Sequence, residues 1–459
     1  MPTDAEKLVH AKNQVEYLRQ QLSETERGLL GAALRVKRYC RNLYQRTWAA
    51  KERLRVTNSQ LGRDVALRKA LGRPAGPSDE TQKTVSDGYH SSPVIRQASA
   101  FDFPMCRRMH ITWVVGGFLP KGGGHRNIFR MCYHLETFGH KVSIYVTDAI
   151  IGDQDLRTAV HDNFYPIAGP IERYRGEIGE TGILVATHWT TVETCLKHKS
   201  KAQALAYFVQ DYEPMFYPMG SEYLLAAQTY NNDFYHICSG EWIAALIKER
   251  HCGRVGHFKF PVDTSIYNIT NHRRHPKQIV FFAKPEMPRR CFSIGVQALT
   301  IAAKNIPELE VILYGSPEIE KYSLDFKNKK LKFVKTLAAL AEIYNTASLG
   351  VCFSTTNPSL VPYEMMACGL PVVDLATEKA ELNYGGNHAT AILAGPDPVD
   401  IAKAIVRALS DSEELNRRRK SGLALVAGFP DETQAARLVE SHLQRALNST
   451  PLPKPGCAA

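Results

Sequence analysis

Short apolar segments, each running into a polar or glycine-rich loop and then a helix-forming stretch, recur in two series along this chain. That recurrence limits the folds open to it. The first series begins near Met105 with HITWVVGGF, followed by the loop LPKGGGH and a helix through Phe138. Strands are expected at Lys141–Asp148, Gly182–Thr187, Ala204–Val209 and His236–Cys238. After NHRRHPK the pattern restarts, with strands expected at Gln278–Ala283, Glu310–Tyr314, Lys332–Val334, Leu349–Ser354, Pro371–Asp374 and Thr390–Leu393. Helices over Val399–Leu409, Glu413–Ala427 and Glu432–Asn448 close the chain. Strand–helix alternation implies parallel sheets covered on both faces, so the fold class is α/β with two Rossmann-like domains facing across a cleft. The expected domains are 105–274 and 275–430, then a closing helix over 431–448 and a disordered tail over 449–459. Open sheets of this kind bind ligands beyond the carboxyl ends of their strands, which places any site in the cleft.

The residues ahead of these domains read differently. Over 1–71 there are strong helix formers, and a heptad seam runs through Leu8, Ala11, Val15, Leu18, Leu22, Thr25, Leu29, Ala32, Val36, Tyr39 and Leu43. This predicts a coiled coil and self-association into a homo-oligomer. Residues 1–70 hold 15 Lys+Arg against 7 Asp+Glu, which is +8 of the chain's +11. Within 31–55 eight cations meet only Glu52, a charge suited to an anionic membrane surface. A Pro/Gly/Ser-rich stretch over 72–104 reads as a flexible linker. The first thirty residues have no apolar export core, and no run approaches the ~18 apolar residues of a spanning helix. The expected location is therefore cytoplasmic, with a peripheral place on the inner face of the membrane. The ten cysteines lie singly, without CxxC spacing, which argues against a zinc or disulfide framework.

Two loops carry the chemistry. Lys284 and Arg289 follow the apolar strand IVFFA in AKPEMPRRC, just before a helix. Cations at a strand's carboxyl end beside a helix N-terminus suit a diphosphate. The second loop lies within FSTTNPSLVPYEMMACGLPVVD, residues 353–374. A helix is expected from Val361 with Pro362 in its first turn, leaving the amides of Ser359, Leu360 and Val361 to cradle phosphate. Glu364, one turn in, is placed to accept both hydroxyls of a ribose. In the first domain, Gly122, Gly123 and Gly124 let backbone approach a ligand closely, with positive φ open to them. His188, Gln210 and Asp211 fall at strand ends on the same rim, and Asp211 and His188 are suited to orient an acceptor hydroxyl.

The segment E-M-M-A-C-G-L-P-V-V from Glu364 resembles the E-A-M-A-x-G-x-P-V-V of retaining glycosyltransferases of family four, which have the GT-B fold. A-K-P-E-M-P-R is similar in spacing to that family's G-R-L-x-x-x-K. The resemblance implies that Lys284 and Arg289 bind the donor diphosphate, and it covers residues 105–447. HITWVVGGFLPKGGGHRNIFRM, YFVQDYEPMFYP and FFAKPEMPRRCFSIGVQAL are more closely similar to WsaF-type rhamnosyltransferases of bacterial surface-polysaccharide assembly. This subgroup implies dTDP-L-rhamnose as donor and a glycan or lipid-linked glycan as acceptor. UDP- and GDP-sugars are the alternatives. The resemblance also implies a Gly loop facing the donor across the cleft. Two departures stand out: the first Glu of the family's E-x7-E falls at Thr356, and the His that often follows the fifth strand is Gln210.

Asp153-Gln154-Asp155 spells D-x-D, but it lies far from the second phosphate loop, and two cations with a helix N-terminus need no metal for leaving-group charge. No cofactor and no metal are expected. Gly122-x-Gly124 with Asp148 comes near a dinucleotide fingerprint, yet Asn127 replaces the third glycine and Glu364 would be unexplained. A non-catalytic scaffold is the other alternative, against which the joint presence of Lys284, Arg289 and Glu364 weighs. Nucleic acid is not an expected partner, because no aromatic-rich basic motif accompanies the charge.

Overall fold

The computed structural model describes residues 107–118, 122–147, 155–251, 253–271, 273–331 and 333–449. The predicted coiled coil, the linker, Asp148, Asp153 and the residues from 450 on lie outside them. All described residues belong to one compact unit, Tyr89–Ala459.

The first lobe alternates β1 (His110–Val115), α1 (Gly123–Thr137), β2 (Lys141–Val146), α2 (Leu156–Asn163), β3 (Ile171–Arg173), β4 (Thr181–Ala186), α3 (Trp189–Lys197), β5 (Ala202–Val209), α4 (Ser221–Thr229), β6 (Tyr235–Ser239), α5 (Glu241–Arg250) and β7 (Arg254–Phe258). Its seven strands pair in the order β3-β2-β1-β4-β5-β6-β7, and every pair is parallel. The second lobe runs β8 (His275–Phe282), α6 (Phe292–Asn305), β9 (Glu310–Tyr314), β10 (Asn328–Leu331), α7 (Leu337–Thr346), β11 (Ala347–Val351), α8 (Val361–Ala367), β12 (Val372–Leu375), β13 (Ile392–Ala394), α9 (Pro398–Ser410), α10 (Ser412–Ala427) and α11 (Glu432–Asn448). Its order, β10-β9-β8-β11-β12-β13, is also wholly parallel. The strand order reverses between β1 and β4 in one sheet and between β8 and β11 in the other. Those two points are where open sheets part to admit a ligand.

Helices on both faces explain the near-continuous apolar strands. Ala347–Val351 and Tyr235–Ser239 are buried along their whole length, and each sheet separates two apolar clusters. Three strands differ from expectation. A strand expected at Lys332–Val334 lies instead at Asn328–Leu331, leaving Phe333 72% exposed. Short β3 and the edge strand β7 escaped the sequence pattern, since each has only part of its length buried.

The last helix returns to the first lobe. Ala435, Ala436, Val439, Leu443 and Ala446 of α11 join that lobe's core. His140 Nε2 and Glu440 Oε1 form a buried hydrogen bond at 2.7 Å, and His442 Nδ1 lies 3.1 Å from the Tyr235 hydroxyl. Gly256 permits this approach, because a Cβ there would meet the His442 ring at 2.3 Å.

Candidate functional site

Every candidate residue lies in a loop beyond the carboxyl end of a strand or in the first turn of the helix that follows. In the second lobe, the stretch after β8 carries Lys284, Arg289 and Arg290 before α6. Lys284 Nζ sits 3.4 Å from Glu286. Arg289 reaches the opposite lobe, its guanidinium 4.6 Å from the centre of the Phe216 ring, within cation–π range. Burial and the neighbouring Arg290 lower its pKa, while Asp211 opposes them. Its Nε is buried without a hydrogen-bond partner. Cys291 holds φ 48°, a left-handed turn that non-glycine residues seldom adopt. This turn ends the loop at the first residue of α6, a 14-residue helix with no side-chain cap and no acid in its first turn.

The turn after β11 is tied to this loop, since Thr355 N–H donates to Arg289 O at 3.0 Å. Ser354 N–H donates to Asp374 Oδ1 at 2.9 Å, and the Tyr384 hydroxyl to Oδ2 at 2.7 Å. Burial pushes the Asp374 carboxyl up to about 6. Ser359 Oγ is buried against the Cys352 thiol. Leu360 is the N-cap of α8, which has no side-chain cap and begins at Val361 with Pro362 in its first turn, as expected. Glu364 lies one turn in, where burial, then Asp263, raise its carboxyl to about 7. Gly350 of β11 lets α8 press this close, as a Cβ there would meet Met365 Sδ at 2.5 Å.

The first lobe's candidates are engaged differently. Gly122 is the N-cap of α1 with φ −65°, and Gly123 and Gly124 form its first turn. None of the three takes positive φ, and a Cβ on Gly123 would meet nothing within 4 Å while one on Gly124 would meet only the Gln210 amide at 3.6 Å. Gln210 Nε2 donates to Gly124 O at 2.9 Å, and its Oε1 accepts from Asn127 Nδ2 at 3.2 Å. Asp211 is buried, and its carboxylate does not face an open acceptor site. Oδ1 accepts from Tyr212 N–H at 2.8 Å and Asn357 N–H at 3.0 Å, and Oδ2 accepts the Thr356 hydroxyl at 2.9 Å. Desolvation raises its pKa against those donors. Through the bonds to Thr356 and Asn357, Asp211 fastens the two lobes together. Thr356, where the family pattern has Glu, is the residue it holds.

His188 caps α3, its Nδ1 2.9 Å from Thr190 Oγ1. Behind it, buried Glu213 accepts Trp189 N–H at 2.6 Å and the Tyr207 hydroxyl at 2.8 Å. His125, in the first turn of α1, has its pKa lowered to about 4 by burial and by His188. Asp155 of the D-x-D caps α2 by accepting Thr158 N–H and hydroxyl, both at 2.9 Å. Among the described residues no group of three or more His, Cys, Asp or Glu is placed to hold a metal ion, and no helix is long and apolar enough to cross a membrane. Sequence reasoning missed Arg290, Asn357, Glu213 and His125. The doubled Arg in PRRC and the acid in QDYEP were the available signals.

Two α/β lobes, each built on a wholly parallel sheet, resemble the GT-B class of fold. The chain is similar to both domains of the WsaF family, the N-terminal model matching residues 148–239 and the C-terminal model residues 277–406. It is 31% identical over 235 residues to the O-antigen biosynthesis protein RfbC of Myxococcus xanthus, spanning 50% of this chain and 18% of that relative. Among solved structures, sucrose-phosphate synthase of Thermosynechococcus elongatus superposes with a TM-score of 0.54 at 15% identity, covering 74% of this chain and 99% of that one. Anabaena HepE in complex with UDP and glucose gives 0.56 at 15%, covering 74% and 100%. Pneumococcal O-GlcNAc transferase GtfA with UDP and GlcNAc gives 0.55 at 12%, covering 75% and 100%.

Proposed function

We propose that the chain is a glycosyltransferase that binds a nucleotide sugar between its lobes and transfers the sugar to a glycan acceptor in surface-polysaccharide assembly. The observation that carries this reading is the buried, unsatisfied donor Arg289 Nε, in the same loop as Lys284 and at the β8–β11 switch point where α8 brings Glu364. An anion completes such a donor, and a ribose completes Glu364. The likeness to WsaF domains and to an O-antigen biosynthesis protein supports the same reading. We take the donor to be dTDP-L-rhamnose and the acceptor a glycan or lipid-linked glycan. The UDP complexes of HepE and GtfA favour UDP-sugars as the second choice.

In this scheme Lys284, Arg289 and the amides of 359–361 stabilise the charge that develops on the departing diphosphate, with no metal required. The transfer retains anomeric configuration: the acceptor enters on the leaving-group face, and the departing phosphate oxygen takes its proton. Gly122, Gly123 and Gly124 border the donor from the first lobe, held by Gln210. His188 and neutral His125 face the acceptor side. A basic arm over 31–55 holds the enzyme at an anionic membrane face, and the heptad seam makes it an oligomer.

The test is a transfer and hydrolysis screen of purified protein against dTDP-, UDP- and GDP-sugars, with NMR of the product anomer. Turnover of dTDP-L-rhamnose with retained configuration supports the proposal. No turnover of any sugar nucleotide overturns it, and an inverted product overturns the mechanism. Deleting residues 1–75 tests the arm: donor binding survives, while vesicle binding and oligomer mass fall.

A further inference from the structure

Arg290 is marked by neither the spacing argument nor the family resemblance, yet it is the most buried cation of the cleft, 5% exposed. Its Nε and Nη1 are buried with no hydrogen-bond partner. The acids whose charge it feels are Asp374 and Asp211, and both have committed their oxygens elsewhere. Asp374 accepts from Ser354, Leu375 and Tyr384, and Asp211 from Tyr212, Thr356 and Asn357. A guanidinium held out of water with idle donors is costly unless something else completes it.

Its surroundings point to what that is. Arg290 and Lys284 both lie 6.0 Å from the centre of the Phe282 ring, at the end of β8. Arg289 precedes it in sequence, and the uncapped N-terminus of α6 follows two residues later. The left-handed Cys291 and the bond from Arg290 N–H to Met287 O at 2.9 Å fix the backbone on either side. Three cations of one loop and an uncapped helix start suit an anionic ligand, because the nearest acids, Asp211 and Asp374, leave the Nε and Nη1 donors of Arg290 unfilled.

We propose that Arg290 is a third cation of the donor site, donating from Nε and Nη1 to the diphosphate of the nucleotide sugar and of the nucleoside diphosphate left after transfer. The inference rests on the reading of the cleft as a nucleotide-sugar site. Calorimetry on the full chain tests it, with dTDP, UDP, dTMP and inorganic pyrophosphate as probes and Arg290→Met and Arg290→Lys as variants. Arg290→Met is expected to weaken dTDP or UDP binding roughly 10- to 100-fold, the range for a hydrogen bond to a charged group, and dTMP binding much less. The ligand-free Tm of Arg290→Met should stay level or rise, because an orphaned buried charge is removed. Arg290→Lys keeps the charge without the planar fork and should bind with intermediate affinity. It carries the test if the Met variant does not fold.

Diphosphate affinity within twofold of wild type in either variant overturns the proposal and leaves the donor reading intact. So does a lowered Tm with equal losses for dTMP and dTDP, the mark of a purely structural arginine. Wild type that binds pyrophosphate but no nucleotide overturns the donor reading, while an Arg290-dependent pyrophosphate signal upholds the anion site. Wild type that binds none of the probes overturns both.

Discussion

On the first lobe's rim, Gln210 and Asp211 have both polar atoms of their side chains engaged within the chain, and His188 spends Nδ1 on capping α3. On the second lobe's rim, Arg289 and Arg290 keep buried donors with no partner. The polar groups of a finished structural network satisfy one another, whereas groups reserved for a ligand stay idle until it arrives. We read the difference as suiting the second rim to a ligand, in line with the proposed function, and the first to alignment of the two lobes. It also explains why Thr356 is workable where related enzymes have Glu: its hydroxyl completes the Asp211 network.

The most forceful way to break this comparison is Asp211→Ala. Three donors lose their acceptor, two of them from the other lobe, so stability should fall by about 3–4 kcal/mol, moderated by the desolvation that Asp211 no longer suffers. Denaturant unfolding measures it. A loss under 1 kcal/mol would show that the lobes do not depend on this contact.

Glu364 tests the second rim through pH. Its carboxyl is raised from 4.5 to about 7 by burial and Asp263. The folded state therefore binds the proton more tightly than the unfolded state. Stability is highest below pH 4.5, falls as pH rises through 4.5–7, and is reduced by at most about 3 kcal/mol above that. Glu364→Gln should flatten this dependence and stabilise the ligand-free protein above pH 7. Nucleotide affinity should run the opposite way in wild type, strengthening as the carboxylate ionises, and be weak at every pH in the variant. A nucleotide affinity that ignores both pH and the substitution removes Glu364 from the ribose.

Arg289→Ala addresses the same rim at smaller scale. Nucleoside diphosphate binding should weaken by roughly 1.5–3 kcal/mol, with little change in unfolding. Calorimetry that finds unaltered affinity would mean that the idle donors on this rim await something other than phosphate.

Much of the fold, and the place of each candidate residue in it, were legible in the sequence, for physical reasons visible in particular residues. Strands buried on both faces, such as Ile279–Phe281 and Leu349–Val351, announce themselves as apolar runs, and the loops after them inherit a predictable place at the switch point. Lys284, Arg289 and Glu364 were readable because a loop's position fixes what its charges face. The roles of Asp211 and Gln210 were not, because they depend on partners 145 and 83–86 residues away, across the cleft or across the sheet. Arg290 was hidden for a related reason: a sequence shows a charge, not whether its hydrogen bonds are filled. The edge strands β3 and β7, partly exposed, lacked the unbroken apolar pattern that marked their neighbours.

Gln210 offers the smallest effect and the finest discrimination. Its amide joins β5 to the start of α1 through Gly124 O and Asn127, at a partly exposed position. Gln210→Ala forfeits two neutral hydrogen bonds in contact with water, about 1 kcal/mol in total. If Gln210 only holds the glycine loop, turnover should fall a few-fold, KM for the donor should rise in step, and Gln210→Glu, which can still accept from Asn127, should recover part of the loss. If instead it touches the transferred sugar in the transition state, kcat should fall by about 100-fold or more with donor affinity unchanged. Steady-state kinetics on the two variants separates these outcomes. The second would move a catalytic residue onto the first rim and end the division of labour between the lobes.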